Sequence, residues 1–224
     1  AEAGVDLIEL GIPFSDPLAD GPPIQAASQW ALTHGMTPEK VFHVVEELRR
    51  RNVELPLALM TYVNPVFRFG FDRFCHRCAA SGVDGLIVPD LPPEEAGELI
   101  RAARPLGIDT IFLAAPTSPI QRLKRIARNS TGFIYYVSLT GVTGARDRLP
   151  REVSDQVRRL KAVTDLPVCV GFGISRPTQV REVVQVADGA IVGSALLKVM
   201  GSAKRNVAQA AQDFMRRMRE ACRA

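Results

Sequence analysis

Short apolar runs alternate with longer amphipathic stretches along the whole chain. The runs are continuously apolar, which is typical of parallel strands covered by helices on both faces. Each run is followed by a stretch in which apolar residues recur at helical spacing. We therefore predict an α/β protein with seven strands, at residues 5–10, 56–62, 85–88, 109–114, 132–138, 167–171 and 190–192.

Proline and glycine mark the ends of the predicted helices. Thr37 is a candidate N-cap and Pro38 suits the first helical position, so a helix is predicted from there to about Arg51. Residues 63–70 and 139–150 are predicted to be loops, and the residues after 194 to be helical to the C-terminus. The remaining helices are predicted at residues 24–32, 71–81, 94–104, 120–129, 152–164 and 177–186.

The number of strands defines the expected architecture. Seven strands are one short of a closed (β/α)₈ barrel, and the opening residues resemble the last turn of a helix closed by Gly4. We expect a single TIM-barrel domain over residues 1–224, lacking the first strand and most of the first helix, with unpaired edges at the strands near residues 5 and 190. The alternative is an open doubly wound sheet, which is less favoured because no Gly-x-Gly-x-x-Gly turn follows the first strand.

Composition excludes several classes of partner. The 224 residues are 46% hydrophobic, which allows a sizeable core, and no apolar run is long enough to span a membrane. The net charge of +4 comes mostly from arginines spread along helices without interleaved aromatic residues, so we expect solvated helix faces and no nucleic-acid partner. No signal segment stands at the start, and the pattern of Cys75, Cys78, Cys169 and Cys222 fits a reducing cytoplasm.

The candidate chemistry begins in the stretch from Glu9 to Gly21. An apolar strand delivers Glu9, and a loop stiffened by Pro13 and Pro17 then carries Asp16 and Asp20. Two carboxylates held by rigid backbone are the equipment of acid/base chemistry, although a salt-bridged strand end is the simpler interpretation of such a pattern.

Two glycine turns indicate a phosphate site. Gly171-Phe-Gly-Ile-Ser and Val192-Gly-Ser-Ala each place small residues between a strand and a helix, where backbone N–H groups and the helix dipole favour an anion. TIM barrels repeatedly bind phosphate after their last two strands, so the pair indicates more than either turn alone. The glycine-containing loop 139–150 is a candidate lid, or else an ordinary surface loop.

The absence of certain residue types from the strand ends excludes some types of reaction. No lysine stands at a strand end, which argues against a Schiff-base aldolase, and the three histidines fall in helical segments, so no metal-ligand cluster is expected. What remains is a phosphate anchor, two carboxylates and an apolar lining. This combination suits a substrate with a phosphate tail and a flat apolar head; the lining is predicted to be Phe14, Ile24, Tyr62, Ile87, Tyr135 and Phe172.

Six motifs together resemble the tryptophan synthase alpha subunit. They occur in order over essentially the whole chain, and the first is close to diagnostic, whereas the glycine turns occur in many phosphate-binding barrels. The motifs are Glu9-Leu-Gly-Ile-Pro-Phe-Ser-Asp-Pro-Leu-Ala-Asp20-Gly-Pro, Tyr62-Val-Asn-Pro, Pro89-Asp-Leu-Pro, Ser138-Leu-Thr-Gly-Val-Thr-Gly144, Gly171-Phe-Gly-Ile-Ser and Val192-Gly-Ser-Ala.

The resemblance implies cleavage of indole-3-glycerol phosphate to indole and glyceraldehyde 3-phosphate. It implies that Glu9 carries the proton, that Asp20 bonds the indole N–H, and that Tyr135 orients Glu9. Thr143 would hold Asp20 when the lid closes. Tyr62, Ile24 and Phe172 would line the substrate pocket, and the phosphate would be held by Gly144, Gly173, Gly193 and Ser194.

The resemblance also implies a partner. Indole would pass to a beta subunit that uses pyridoxal phosphate, while this chain needs no cofactor; residues 13–20 and 63–69 would form the contact in an α₂β₂ assembly. Pro23 departs from the family pattern, where a small polar residue is usual. Two alternatives are kept: a barrel isomerase acting on a phosphosugar, and a non-catalytic protein that only binds and regulates a second one.

Overall fold

The computed structural model describes residues 1–137, 151–171 and 173–222, in which strands and helices alternate as predicted. All seven predicted strands are confirmed, and the one predicted over 109–114 is interrupted at Phe112, which divides it into β4 and β5. The strands are β1 Ile8–Gly11, β2 Leu57–Met60, β3 Gly85–Ile87, β4 Asp109–Ile111, β5 Leu113–Ala114, β6 Ile134–Val137, β7 Val168–Gly171 and β8 Gly189–Ile191.

The helices follow the predicted pattern closely. Thr37 caps its helix as expected, because its side chain accepts a hydrogen bond from the Lys40 backbone N–H. The helices are α1 Pro22–Thr33, α2 Pro38–Arg50, α3 Val63–Phe69, α4 Phe71–Ser81, α5 Gly97–Ala103, α6 Ile120–Asn129, α7 Arg151–Lys161, α8 Pro177–Val184, α9 Ser194–Ser202 and α10 Val207–Ala221, with a 3₁₀ turn at Arg104–Leu106.

The described residues form two compact units, each built on a four-stranded parallel sheet. The first unit contains most of the chain up to Phe112 and the sheet β1-β2-β3-β4; the second contains most of the chain from Leu113 and the sheet β5-β6-β7-β8. Strands β2 and β3 are buried almost throughout, as expected for parallel strands covered by helices. The prediction of one domain over the whole chain stays a prediction.

Aromatic packing holds the helices of the first unit together. Phe42 of α2 and Phe74 of α4 are fully buried, with ring centroids 5.5 Å apart, and Phe69 of α3 meets Phe74 edge-on at 5.6 Å. Such edge-to-face pairs contribute beyond the burial of their apolar area. This cluster packs α3 against α2 and α4, and α3 directly follows Tyr62 in the chain.

The same carboxylate arrangement fixes the start of a strand in each unit. Asp84, just before β3, accepts hydrogen bonds from Arg49 and from the Leu57 backbone N–H at 2.7 Å. Asp188, just before β8, accepts them from Lys161 at 2.7 Å and from the Val168 N–H at 2.9 Å. Both acids open the same short sequence, Asp-Gly-x-Ile-Val, so the strand starts at Leu57 and Val168 are held by equivalent contacts.

The prediction of a loop at residues 63–70 is wrong. Residues 63–69 form α3, and only Gly70 lies outside it. Pro65 suggested a loop, but it occupies the first helical turn, where an intrahelical N–H bond is not required. The helix begins at Val63, whose backbone N–H donates to the Asp90 side chain at 2.8 Å.

Other helix boundaries also differ from the prediction. The segment after residue 194 is broken between α9 and α10, where Asn206 adopts the left-handed conformation at φ +49° and caps α10. The helix predicted from residue 94 begins at Gly97, because a turn closed by the Glu95 N–H on the Pro92 carbonyl precedes it. The predicted loop 139–150 lies outside the described residues. Within the described ranges, no helix is both long and apolar enough to cross a membrane.

Candidate active site

Glu9 lies within β1 rather than at its end, as the sequence had suggested. Its strand pairs with β2 in parallel register, Glu9 opposite Ala58, and the pairing continues to the Ile12 N–H on the Met60 carbonyl at 2.9 Å. The side chain is partly buried. Burial, followed by the negative charge of Asp20, raises the pKa of the Glu9 carboxyl to about 7. Near neutral pH both protonation states of Glu9 are therefore populated.

The loop after β1 is folded by its prolines, as predicted. The Asp20 N–H donates to the Pro17 carbonyl at 3.1 Å, which closes a turn. The Asp20 carbonyl in turn accepts a hydrogen bond from the Gln25 side chain in α1 at 2.8 Å. Since both backbone groups of Asp20 are bonded, the residue has a defined position between the loop and the helix.

Tyr62 connects this loop to the end of β2. Its side chain is 4% exposed. Its hydroxyl accepts a hydrogen bond from the Ala19 N–H at 3.0 Å and also bonds the Asp20 carboxylate. Phe14 lies beside the Tyr62 ring, at a centroid distance of 5.6 Å. The sequence predicted Tyr62 only as a lining residue and missed this bond to Asp20.

Burial raises the pKa values of both Asp20 and Tyr62. Burial raises the pKa of Asp20 above its ordinary value, and the hydrogen bond from Tyr62 opposes that rise. Burial also raises the pKa of Tyr62, so its hydroxyl remains a hydrogen-bond donor at neutral pH. The first unit thus combines Glu9, Asp20 and Tyr62 in one hydrogen-bonded and electrostatically coupled group.

Tyr135 belongs to the second unit, on β6. A Cβ atom placed on Gly171 of β7 would lie 2.6 Å from the Tyr135 hydroxyl oxygen, closer than any real contact allows. Only glycine at this position leaves the Tyr135 ring where it is. Gly171, the last residue of β7, therefore has a packing role in addition to its place in the predicted phosphate turn.

The two predicted phosphate turns differ in their available N–H donors. After β7, Gly173 has φ +74°, and the Gln179 side chain accepts hydrogen bonds from the Ser175 and Arg176 N–H groups at 2.9 and 3.0 Å. After β8, Gly193 is the N-cap of α9 and Ser194 its first residue, with no side-chain cap. Gly193 has no side chain with which to cap α9, and the first amide groups of a helix have no acceptor within the helix, so they are candidates to bind an anion.

The other predicted site residues are placed as follows. Ile24 is partly buried in the first turn of α1, which begins two residues earlier than predicted because prolines suit the first helical positions. Phe172, Thr143 and Gly144 lie outside the described residues. Among the residues that the structure describes, no group of three or more His, Cys, Asp or Glu side chains could hold a metal ion.

A partly buried carboxyl whose pKa is raised to about 7, coupled electrostatically to a second carboxylate on a parallel α/β scaffold, is typical of an acid/base enzyme. The model of the tryptophan synthase alpha chain family matches residues 1–223. The chain belongs to the tryptophan synthase alpha chain family. Its fold is the TIM barrel of that family, and it is a lyase that cleaves indole-3-glycerol phosphate in tryptophan biosynthesis.

Individual relatives agree with the family model. The alpha chain of Carboxydothermus hydrogenoformans is 51% identical over 200 residues, covering 89% of this chain and 74% of the relative. That of Prochlorococcus marinus is 51% identical over 222 residues, covering 98% and 80%. The doubly wound sheet and the phosphosugar isomerase are excluded by these relationships.

Solved structures of tryptophan synthase alpha subunits share the fold of this chain. The tryptophan synthase alpha subunit of Legionella pneumophila superposes with a TM-score of 0.91 at 38% identity, covering 99% of this chain and 83% of that one. A structure of the α₂β₂ complex of tryptophan synthase from Pyrococcus furiosus matches with a TM-score of 0.90 at 44% identity, covering 96% and 86%.

Proposed function

We propose that Glu9 is the proton carrier in the cleavage of indole-3-glycerol phosphate and that Asp20 is the partner of the indole N–H. The observation that carries this proposal is the coupled environment of the two acids, in which the pKa of Glu9 is raised to about 7. A carboxyl with this pKa donates and accepts a proton at similar cost near neutral pH.

The bond between ring carbon C3 and the adjacent hydroxyl-bearing carbon does not break until C3 is protonated, because neutral indole is a better leaving group than its anion. Protonated Glu9 transfers its proton to C3, and the ring becomes an indoleninium cation. The Glu9 carboxylate then takes the proton of the side-chain hydroxyl. The carbon–carbon bond breaks, its electron pair returns to the ring, and the hydroxyl carbon becomes the aldehyde of glyceraldehyde 3-phosphate.

Asp20 stabilises the positive charge that develops on the ring. Its carboxylate would accept the indole N–H, whose nitrogen carries much of the charge after protonation of C3. The Tyr62 hydroxyl and the Gln25 side chain hold Asp20 for this contact. A fixed negative group aimed at a developing cation is electrostatic stabilisation of the transition state.

The glycine turns of the second unit are proposed to bind the phosphate. Gly193 and Ser194 would donate N–H groups at the start of α9, where the helix dipole favours a negative charge. Gly173 would donate its own amide, because those of Ser175 and Arg176 are bonded to Gln179. Tyr135 is proposed to orient Glu9; Thr143, Gly144 and Phe172 keep the roles that the resemblance implies.

The pH dependence of indole release tests the proposal. We expect kcat/KM to fall by about tenfold for each pH unit above about 7, as Glu9 loses the proton that begins the reaction. At acid pH we expect a second fall as Asp20 becomes protonated, at a pH above the ordinary titration range of aspartate. Indole release from indole-3-glycerol phosphate, measured between pH 4 and 9, gives the profile.

A profile that is flat through pH 7, or that rises there, contradicts the role of Glu9 as the initial acid. Measuring kcat separately from kcat/KM shows whether the ionisation belongs to the substrate complex or to the free enzyme. Release of no indole at any pH, even in the presence of a beta subunit, would contradict the roles proposed for Glu9 and Asp20.

We also propose a beta subunit as the partner, bound through the segments around Leu18 and Phe67. Leu18 is 89% exposed and Phe67 is 69% exposed, and both lie in the segments predicted for this contact. Burying such exposed apolar side chains against a partner is favourable, because it removes their apolar surface from water. Pyridoxal phosphate belongs to the beta subunit, and the alpha chain family carries no cofactor.

Substituting Leu18 or Phe67 with alanine should weaken binding of a tryptophan synthase beta subunit at least about tenfold, because apolar anchors dominate interface energies. Titration calorimetry measures the dissociation constant. Val44→Ala in α2 is the matched control, since Val44 is also exposed, at 43%, but lies outside the predicted contact. Equal weakening by all three substitutions would contradict this location of the interface.

The enzyme is proposed to be cytoplasmic. The cysteines Cys75, Cys78, Cys169 and Cys222 are free, and Cys75 and Cys78 are fully buried in α4. Free buried thiols persist in a reducing compartment. The buried thiols of Cys75 and Cys78 have a packing role in α4.

A further inference from the structure

Asp90 lies in a turn immediately after β3 and has no role among those assigned above. The turn is closed by the Leu91 N–H on the Val88 carbonyl at 3.1 Å, with Pro89 between them. Val88 and Leu91 are both buried, at 6% and 8% exposure. The Asp90 backbone is therefore fixed, although its side chain reaches the surface.

The Asp90 side chain supplies the cap that α3 lacks. The N-cap of this helix is Tyr62, which makes no side-chain capping bond of its own. Asp90 Oδ1 instead accepts the Val63 N–H at 2.8 Å, from 27 residues further along the chain. A carboxylate on the first N–H of a helix satisfies an orphan donor and also interacts favourably with the helix dipole.

Val63, whose N–H is bonded by Asp90, directly follows Tyr62, the residue that holds Asp20. Tyr62 directs its hydroxyl to the Ala19 N–H at 3.0 Å and to the Asp20 carboxylate. The backbone before it is fixed by the Thr61 N–H on the Ile87 carbonyl at 3.1 Å. The backbone after it is fixed by Asp90. The direction of the long Tyr62 side chain depends on both anchors.

We infer that Asp90 is a positioning residue for catalysis, which acts through the start of α3 and Tyr62 on the Asp20 carboxylate. The inference rests on the proposed role of Asp20. Burial raises the pKa of Tyr62, and the charges of Asp20 and then Asp90 add to the rise. Asp90 is thus coupled to this tyrosine both through the backbone and through space.

Removing either partner of the Asp90–Val63 bond tests the inference. Asp90→Ala removes the acceptor. Val63→Pro removes the donor at a helix position where proline is favoured, so the helix start survives. We expect each substitution to lower kcat/KM for indole release about tenfold, as for a lost hydrogen bond to a charged group. Asp90→Asn keeps the accepting oxygen and should stay within about twofold of the unsubstituted chain.

A double-mutant cycle separates positioning from a general effect on the fold. When Tyr62 is already phenylalanine, Asp90→Ala should lower kcat/KM little further, because the hydroxyl that connects Tyr62 to Asp20 is gone. Asp72→Ala is the matched control, since Asp72 is an exposed acid in the first turn of the neighbouring helix α4. It should leave kcat/KM unchanged.

Three results would overturn the inference. They are an unchanged kcat/KM in both Asp90→Ala and Val63→Pro, a failure of Asp90→Asn to restore activity, and effects of Asp90→Ala and Tyr62→Phe that simply multiply. If Asp20→Asn is itself fully active, the proposed role of Asp20 fails instead. A large Asp20→Asn effect with inert Asp90 variants rejects only the positioning role.

Discussion

Glu9→Gln should reduce kcat for indole release by at least about 10⁴-fold, the largest effect of any single substitution in this chain. Glutamine has nearly the same shape and cannot carry a proton. Two proton movements are assigned to Glu9, and each well-placed transfer is worth roughly 10²–10⁴ in rate. Release of indole from indole-3-glycerol phosphate, followed in single-turnover mode, measures the chemical step directly.

Binding and folding provide the controls for this substitution. Affinity for a substrate-like phosphate ligand should survive in Glu9→Gln, because the residues proposed to hold the phosphate are untouched. Glu54→Gln, an exposed residue just before β2, should keep full activity. A Glu9→Gln enzyme with a kcat within tenfold of the original would remove Glu9 from its role.

The stability difference between Glu9→Gln and the original chain should also change with pH, because only the original chain carries the Glu9 carboxyl. The pKa of Glu9 is raised from 4.5 to about 7 on folding, so the protonated form is favoured in the folded state. Its stabilising contribution is complete below pH 4.5 and is lost as the pH rises through about 7. Thermal unfolding of Glu9→Gln at pH 8 should therefore occur at a temperature no lower than that of the original chain.

Asp20→Asn should lower kcat/KM by about 10²–10³-fold. Asparagine can still accept the indole N–H but carries no negative charge, so it stabilises the ring cation less in a partly desolvated site. The loss should appear in kcat more than in KM, because the charge develops only after protonation of the ring. Steady-state kinetics on indole-3-glycerol phosphate separates the two parameters.

Comparison with Tyr62→Phe extends the test of Asp20. Phenylalanine keeps the ring beside Phe14 but removes the hydroxyl that bonds Asp20 and the Ala19 N–H. We expect a smaller loss than in Asp20→Asn, since the carboxylate remains. A kcat/KM for Asp20→Asn equal to that of the original chain would refute the indole N–H assignment, whatever the result for Tyr62→Phe.

Much of the scaffold follows from local sequence. Short apolar runs identified every strand, and Thr37-Pro38 placed the start of α2 correctly. The prolines around Glu9 and Asp20 correctly predicted a turn-forming loop. These features depend on restrictions of φ and on the spacing of apolar residues, which act within a few positions of the chain.

Contacts between distant residues account for what was missed. The loop predicted at residues 63–70 is a helix whose first N–H is capped by Asp90, 27 positions away. Tyr62 was predicted to line a pocket, yet it bonds Ala19 across 43 positions and also holds Asp20. No local pattern signals either contact. The motifs Tyr62-Val-Asn-Pro and Pro89-Asp-Leu-Pro contributed to the family resemblance but did not indicate that the two segments touch.

The sequence by itself determined the order of strands and helices, the types of side chain at the strand ends and the family resemblance. Each of these depends on residues that are close together in the sequence. Only the tertiary structure decided that the Glu9 carboxyl titrates near pH 7 and that Asp20 is held by Tyr62. A pKa depends on how much water and charge surround a group, and a hydrogen bond depends on distance in space. Both are set by packing of segments far apart in the chain.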